Sequence, residues 1–143
     1  MNRVSLNDIK IIDLKKNYSN KSGEVMHFIK RTDDGFKEFG EVYFSWIKFK
    51  KIKAWKQHSK MILNLVVPIG SVRFVFHIPD QKREFRIEEI GYSNYKRLIV
   101  PPGIWFGFKG IEKPNNLVSN FSNIIHDTKE SIQVDQNFFS YKW

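Results

Sequence analysis
Apolar residues along this chain recur in short alternating or continuous runs, and helical spacing does not persist beyond about two turns. The stretch "EVYFSWIKF" at 41–49 is rich in β-branched and aromatic residues, and "MILNLVV" at 61–67 is almost continuously apolar. The turn signal "PIGS", with Pro68 and Gly70, stops that run. "VRFVFHI" then alternates cleanly, with Val72, Phe74, Phe76 and Ile78 on one face. "PDQK" turns the chain into "EFRIEEI", where Phe85 and Ile87 share one face and Arg86 and Glu88 the other. "RLIV" leads into "PPG", followed by "IWFGFKG" and "NLVSNF". Short strands at this spacing, punctuated by Pro and Gly, predict an all-β antiparallel sandwich or barrel.

The two ends carry a different pattern. The first 22 residues read as a strand followed by the polar loop "KKNYSNKSG", and residues 123–135 read as a loop or short helical turn. The closing "FFSYKW" is aromatic enough to dock on the body or on a partner subunit. With no internal repeat and no linker, a single domain is expected. It comprises an N-terminal strand and loop (1–33), a barrel core (34–122) and a C-terminal segment (123–143).

Composition narrows the classes. The length of 143 residues suits one core, and 41% hydrophobic content argues against disorder. No run approaches the ~20 apolar residues needed to span a bilayer, and the start lacks the apolar stretch of a secretory signal. The absence of cysteine rules out disulfides and thiolate metal sites and is compatible with the cytoplasm, the expected location. The formal net charge of +9 attracts polyanions, and six lysines with no Asp or Glu fall between Val42 and Ile62. That run reads either as a solvated basic face or as a rim that draws phosphates.

Catalytic signatures of short spacing are absent: there is no GxSxG elbow, P-loop, GxGxxG turn or HExxH helix. A basic, aromatic strand such as "YFSWIKFKKIKAWK" has the ingredients of a single-strand nucleic-acid surface, but its lysines and aromatics do not segregate by face. Nucleic acid is therefore the least favoured partner.

The order of "GEVYFSWIKFKKIKAWKQH", "LNLVVPIGSVRFVF", "VPPGIWFGFKG", "NIIHDTKESIQVD" and "FFSYKW" resembles the dTDP-4-dehydrorhamnose 3,5-epimerase family of the cupin superfamily. The match runs from about Asp34 to the C-terminus. The resemblance implies a cupin-type antiparallel β-barrel (jelly roll), usually dimeric, with a nucleotide sugar bound in the barrel mouth and no cofactor. Its chemistry is epimerisation or isomerisation of a 4-keto-6-deoxyhexose nucleotide for surface polysaccharide synthesis. A base removes the proton alpha to the ketone, the enolate is stabilised, and an acid returns a proton.

The resemblance also distributes candidate residues. In "AWKQH", Lys56 stands where the family places its base histidine and His58 follows two residues later, so these two are the proton-transfer candidates. The family's lysine in the next strand falls near Leu63, and its catalytic tyrosine near Asn120. Substrate contacts are expected from Phe36 and Glu38 in "DDGFKEFGE", from Trp55, Asn64, Trp105, Phe106 and Asn120, and from His126 in "HDTKE". Each has an ordinary alternative: a hydrogen-bonded interior imidazole for His58, a solvated amine for Lys56, packing for the tryptophans and Phe106, and a loop cap for His126. Metal is not expected, because the ligand positions of metal cupins read Lys56, His58, Asn64 and Phe106. A binding cupin that has lost its acid–base pair is the rival reading, with a basic nucleic-acid-binding barrel behind it.

Overall fold
The computed structural model describes residues 3–19, 21–80 and 84–143. Two five-stranded antiparallel sheets face each other. The first has the order β1 (Lys10–Asp13), β9 (Lys96–Val100), β6 (Leu63–Ile69), β11 (Asn115–Ser122), β4 (Glu41–Lys48). The second runs β12 (Ser131–Gln133), β5 (Ile52–His58), β10 (Trp105–Gly110), β7 (Ser71–His77), β8 (Phe85–Gly91). This is the antiparallel two-sheet architecture that the strand pattern predicted, in the cupin-type jelly roll form that the family resemblance implied. The "KKNYSNKSG" stretch departs from the expected loop. It supplies β2 (Lys16–Ser19) and the turn of a hairpin whose second strand is β3 (Gly23–Met26), with Asn20 outside the described residues. Gln81 and Lys82 of the expected "PDQK" turn also lie outside them.

The alternation read from the sequence decides which side chains meet between the sheets. Val72, Phe74 and Phe76 of β7 join Leu63, Leu65 and Val67 of β6, Leu98 and Val100 of β9, and Phe106 of β10 in one apolar core. Burying this many large side chains, each worth about 1.5–3 kcal/mol, provides most of the drive for closure. On β8 the inward side carries Arg86 and Glu88 as well as Ile90, because they lie opposite Phe76, Phe74 and Val72. The guanidinium is satisfied by the carbonyls of Leu6 (2.8 Å) and Ile9 (2.7 Å) and by Glu88 (3.2 Å).

A second apolar layer covers the outer face of the other sheet. Trp55, Val75 and Trp105 point away from the main core and are capped by Phe139, Tyr141 and Trp143. The aromatic C-terminus therefore docks on the body. Trp55 is fully buried there, edge-on to Phe139 (5.5 Å) and tilted against Trp143 (5.2 Å).

Candidate active site
The wall of the barrel interior between β4, β5, β6, β10 and β11 leaves a cavity of about 430 Å³. Strand pairing explains what faces it. Tyr43 and Ser45 lie opposite Asn120 and Val118, so β4 turns a phenol and a hydroxyl inward. On β5 the register against β10 shifts between Phe106 and Gly107: Phe106 pairs with Lys56, Gly107 with Ala54, and Phe108 with Lys53. A regular strand would send Lys53 and Lys56 to opposite faces. The bulge lets Lys53, Lys56 and His58 all line the same cavity.

His58 is buried, 3% exposed. Its Nδ1 is hydrogen-bonded to Glu130 Oε1, and the ring stacks on Phe106 with centroids 5.9 Å apart. The "PPG" turn fixes the backbone at this point: Gly103 has φ +90°, a conformation that favours glycine, and its N–H donates to the His58 carbonyl (2.8 Å). Glu130 closes a short 3₁₀ turn (Thr128–Glu130) that precedes β12, where Ser131 pairs with His58. Its Oε2 accepts the backbone N–H groups of Ser59 (3.2 Å), Lys60 (3.0 Å) and Met61 (3.1 Å).

These contacts set the protonation states. Burial raises the pKa of Glu130, but the bonds from His58, Lys60 and Met61 overcome it and hold the carboxyl below its ordinary value. Burial pushes the imidazole of His58 below its ordinary value, more than the bond to Glu130 raises it. The pair is a carboxylate and a neutral ring whose Nδ1–H donates to it. That tautomer leaves the lone pair on Nε2, which is buried and has no hydrogen-bond partner among the described residues. A buried, unpartnered basic nitrogen on a residue that lines a cavity is costly to keep unless a ligand uses it.

Tyr43 brings a second group capable of proton transfer to the cavity. Asn120 Nδ2 donates to its hydroxyl oxygen (3.0 Å), which leaves the phenolic proton available to a ligand. Burial raises the pKa of Tyr43, so the phenol is protonated at neutral pH.

The sequence candidates separate into two groups. His58, Lys56, Phe106 and Asn120 come together at the cavity. Trp55 borders it, but its ring packs in the outer aromatic layer, where Trp105 also lies. Asn64 is buried on the far face of β6, donating to the Gly35 carbonyl (3.0 Å). Phe36 packs on Phe121 (5.5 Å), while Glu38 and His126 are exposed on the surface. Glu130 and Tyr43 were not among the candidates. Glu130 ends the "HDTKE" block, in which attention fell on His126. Tyr43 belongs to the inward alternation of "EVYFSWIKF", opposite the Asn120 position where a tyrosine was sought. Among the described residues, no three His, Cys, Asp or Glu side chains are grouped to hold a metal ion.

Neither protein-family models nor curated protein sequences give a match to the chain. Solved structures do. A dTDP sugar isomerase from Desulfovibrio desulfuricans G20 is 29% identical over 95% of this chain and 90% of its own, with a TM-score of 0.88. A sugar 3,4-ketoisomerase from Thermoanaerobacterium thermosaccharolyticum, in complex with TDP, is 20% identical with a TM-score of 0.75, covering 94% of this chain and 93% of its own. A dTDP-4-dehydrorhamnose 3,5-epimerase from Bacillus anthracis, with TDP and pyrophosphate bound, is 15% identical with a TM-score of 0.82, covering 99% of this chain and 87% of its own. At such identities the last two speak for the fold alone. The structural neighbours of the chain are dTDP-sugar isomerases and 3,5-epimerases, the family that the sequence blocks resemble.

Proposed function
We propose that this protein is a cofactor-independent isomerase or epimerase acting on a 4-keto-6-deoxyhexose attached to a nucleotide. The observation that carries the reading is His58, which lines the cavity: one ring nitrogen is tied to an ionised Glu130 and the other is buried without a hydrogen-bond partner among the described residues. His58 Nε2 removes the proton alpha to the sugar ketone. Glu130 holds the ring in the required tautomer and stabilises the imidazolium that forms, as a buried carboxylate does for a catalytic histidine. Tyr43, oriented by Asn120, returns a proton from a different strand. The similarity to the dTDP sugar isomerase supports a nucleotide-sugar ligand. Cytoplasmic location and a role in surface polysaccharide synthesis belong to the same proposal.

Incubation with TDP-4-keto-6-deoxyglucose in D₂O tests it. Deuterium at C4 of a 3-keto product marks a 3,4-ketoisomerase, deuterium at C3 of a 4-keto product marks a 3-epimerase, and deuterium at C3 and C5 marks a 3,5-epimerase. Binding without exchange across a panel of keto-sugar nucleotides would overturn the catalytic reading and leave the binding-cupin one.

The protein acts as a homodimer in this reading. The support is an outer apolar face on β4, where Val42 (43% exposed), Phe44 (65%) and Trp46 (54%) form a row. Ile69 (48%) extends it on β6 through Leu117 of β11, which pairs with both Trp46 and Ile69.

A further inference from the structure
Among the described residues, two ammonium groups line the cavity wall, and one of them, Lys53, is engaged. Lys53 Nζ donates to Ser45 Oγ (2.9 Å) and to the Trp46 carbonyl (2.7 Å), so it is anchored to β4. Lys56 lines the same cavity without a hydrogen-bond or ion-pair partner among the described residues. It precedes His58 by two residues on β5 and lies opposite Phe106, whose ring stacks on His58. Same-face neighbours on a strand stand about 6.6 Å apart at their Cα atoms. A flexible ammonium at that spacing reaches an atom one or two bonds away from the atom His58 deprotonates.

We propose that Lys56 supplies the positive charge that stabilises the enolate oxygen of the substrate, in place of holding its phosphates. This rests on the isomerase reading of the cavity. When His58 Nε2 takes the alpha proton, the C–H electron pair becomes the new carbon–carbon π bond. The carbonyl π pair moves onto oxygen, and the negative charge appears there. The acceptor imidazole has become a cation at the same moment. Reprotonation at carbon reverses the electron flow, so nothing is oxidised or reduced overall. The oxygen that gains charge lies two bonds from the carbon that loses its proton, so its cation must stand beside the base. Lys56 does; the nucleotide phosphates lie beyond the sugar ring.

The groups acting on His58 agree with this placement. Glu130 from the 3₁₀ turn favours the imidazolium, while Lys56 on β5 and His126 on the 123–127 loop disfavour it. Tyr43 faces the same cavity from β4. Lys56 therefore also helps to keep the base neutral and ready.

The test compares Lys56→Met, Lys56→Gln and Lys56→Arg with the unsubstituted protein. Deuterium exchange into TDP-4-keto-6-deoxyglucose is measured as a function of pH, and TDP binding by calorimetry. Loss of a charge donor at a developing oxyanion lowers turnover by about 10²–10³-fold. That loss is expected in the Met and Gln variants, with the affinity for TDP unchanged and partial recovery in the Arg variant. The ascending limb of the pH profile should move to higher pH in Lys56→Met. Unimpaired exchange in a folded Met or Gln variant, or a loss of exchange matched by an equal loss of TDP affinity, overturns the assignment. An unsubstituted protein that catalyses no exchange removes this proposal and the isomerase reading together. An active protein with an indifferent Lys56 removes this one alone.

Discussion

At the residue scale the site depends on one imidazole held neutral against a carboxylate. Because burial places the His58 pKa below its ordinary value of 6.5, kcat/KM should rise with pH through a value under 6.5 and level off above it. Glu130→Gln removes the partner that raises that pKa. Its ascending limb should move to still lower pH, while the plateau falls by about 10–100-fold through loss of tautomer control. A pH–rate profile reads both effects, and the shift is opposite in sign to that expected for Lys56→Met. Tyr43→Phe keeps the ring and removes the proton. Proton return should slow by about 10²–10⁴-fold. Alpha-proton exchange through His58 should persist, so exchange outrunning product formation in D₂O is the expected signature. His58 and Lys56 were legible in the sequence because both sit in one strand with recognisable neighbours. Glu130 was not, since its partner lies 72 positions away and its importance arises only where three backbone amides converge on it.

At the element scale β5 carries most of the geometry. Its bulge brings Lys53 and Lys56 to one face, and the bulge depends on a close approach at Gly107. A Cβ there would stand 2.5 Å from the Ala54 Cβ and 3.1 Å from the Trp143 ring. Gly107→Ala should therefore destabilise the fold by about 1–3 kcal/mol, as overpacking does, with a lower urea midpoint. It should also slow exchange more than a distant substitution of equal stability cost, because it disturbs the strand that aims Lys56 and His58. The alternation of β7 and β8 could be read from the sequence because period-two patterning survives wherever one face is buried. The bulge was not readable. A register slip is decided by cross-strand contacts, and "KAWKQH" looks like an unbroken strand. The N-terminal hairpin was hidden for another reason: its polar residues resemble loop, and it is backbone pairing that makes them strands.

At the scale of the whole molecule two outer surfaces carry apolar residues, and they are treated differently. The face of β5, β10 and β7 is covered by the chain's own Phe139, Tyr141 and Trp143. The face of β4 is left open at Val42, Phe44 and Trp46. If a second copy covers the open face, Phe44→Asp should convert a dimer to a monomer in sedimentation velocity without unfolding it, since Phe44 contributes little to the core. A monomeric unsubstituted protein would sink the dimer proposal. The fold class was accessible from the sequence because many short strands admit few closed architectures. The difference between the two faces was not, because both are written in the same aromatic residues.

The position of Glu130 along the chain has a temporal consequence. The strands from β4 to β11 that line the cavity precede it, and β12, which contributes Gln133, follows, so during synthesis the base emerges long before the carboxylate that orients it. A nascent barrel can close around an imidazole that is still free to choose either tautomer. The tautomer of the base is therefore settled only once the segment after β11 has joined β5, a step later along the chain than the strands that carry the base and its cavity.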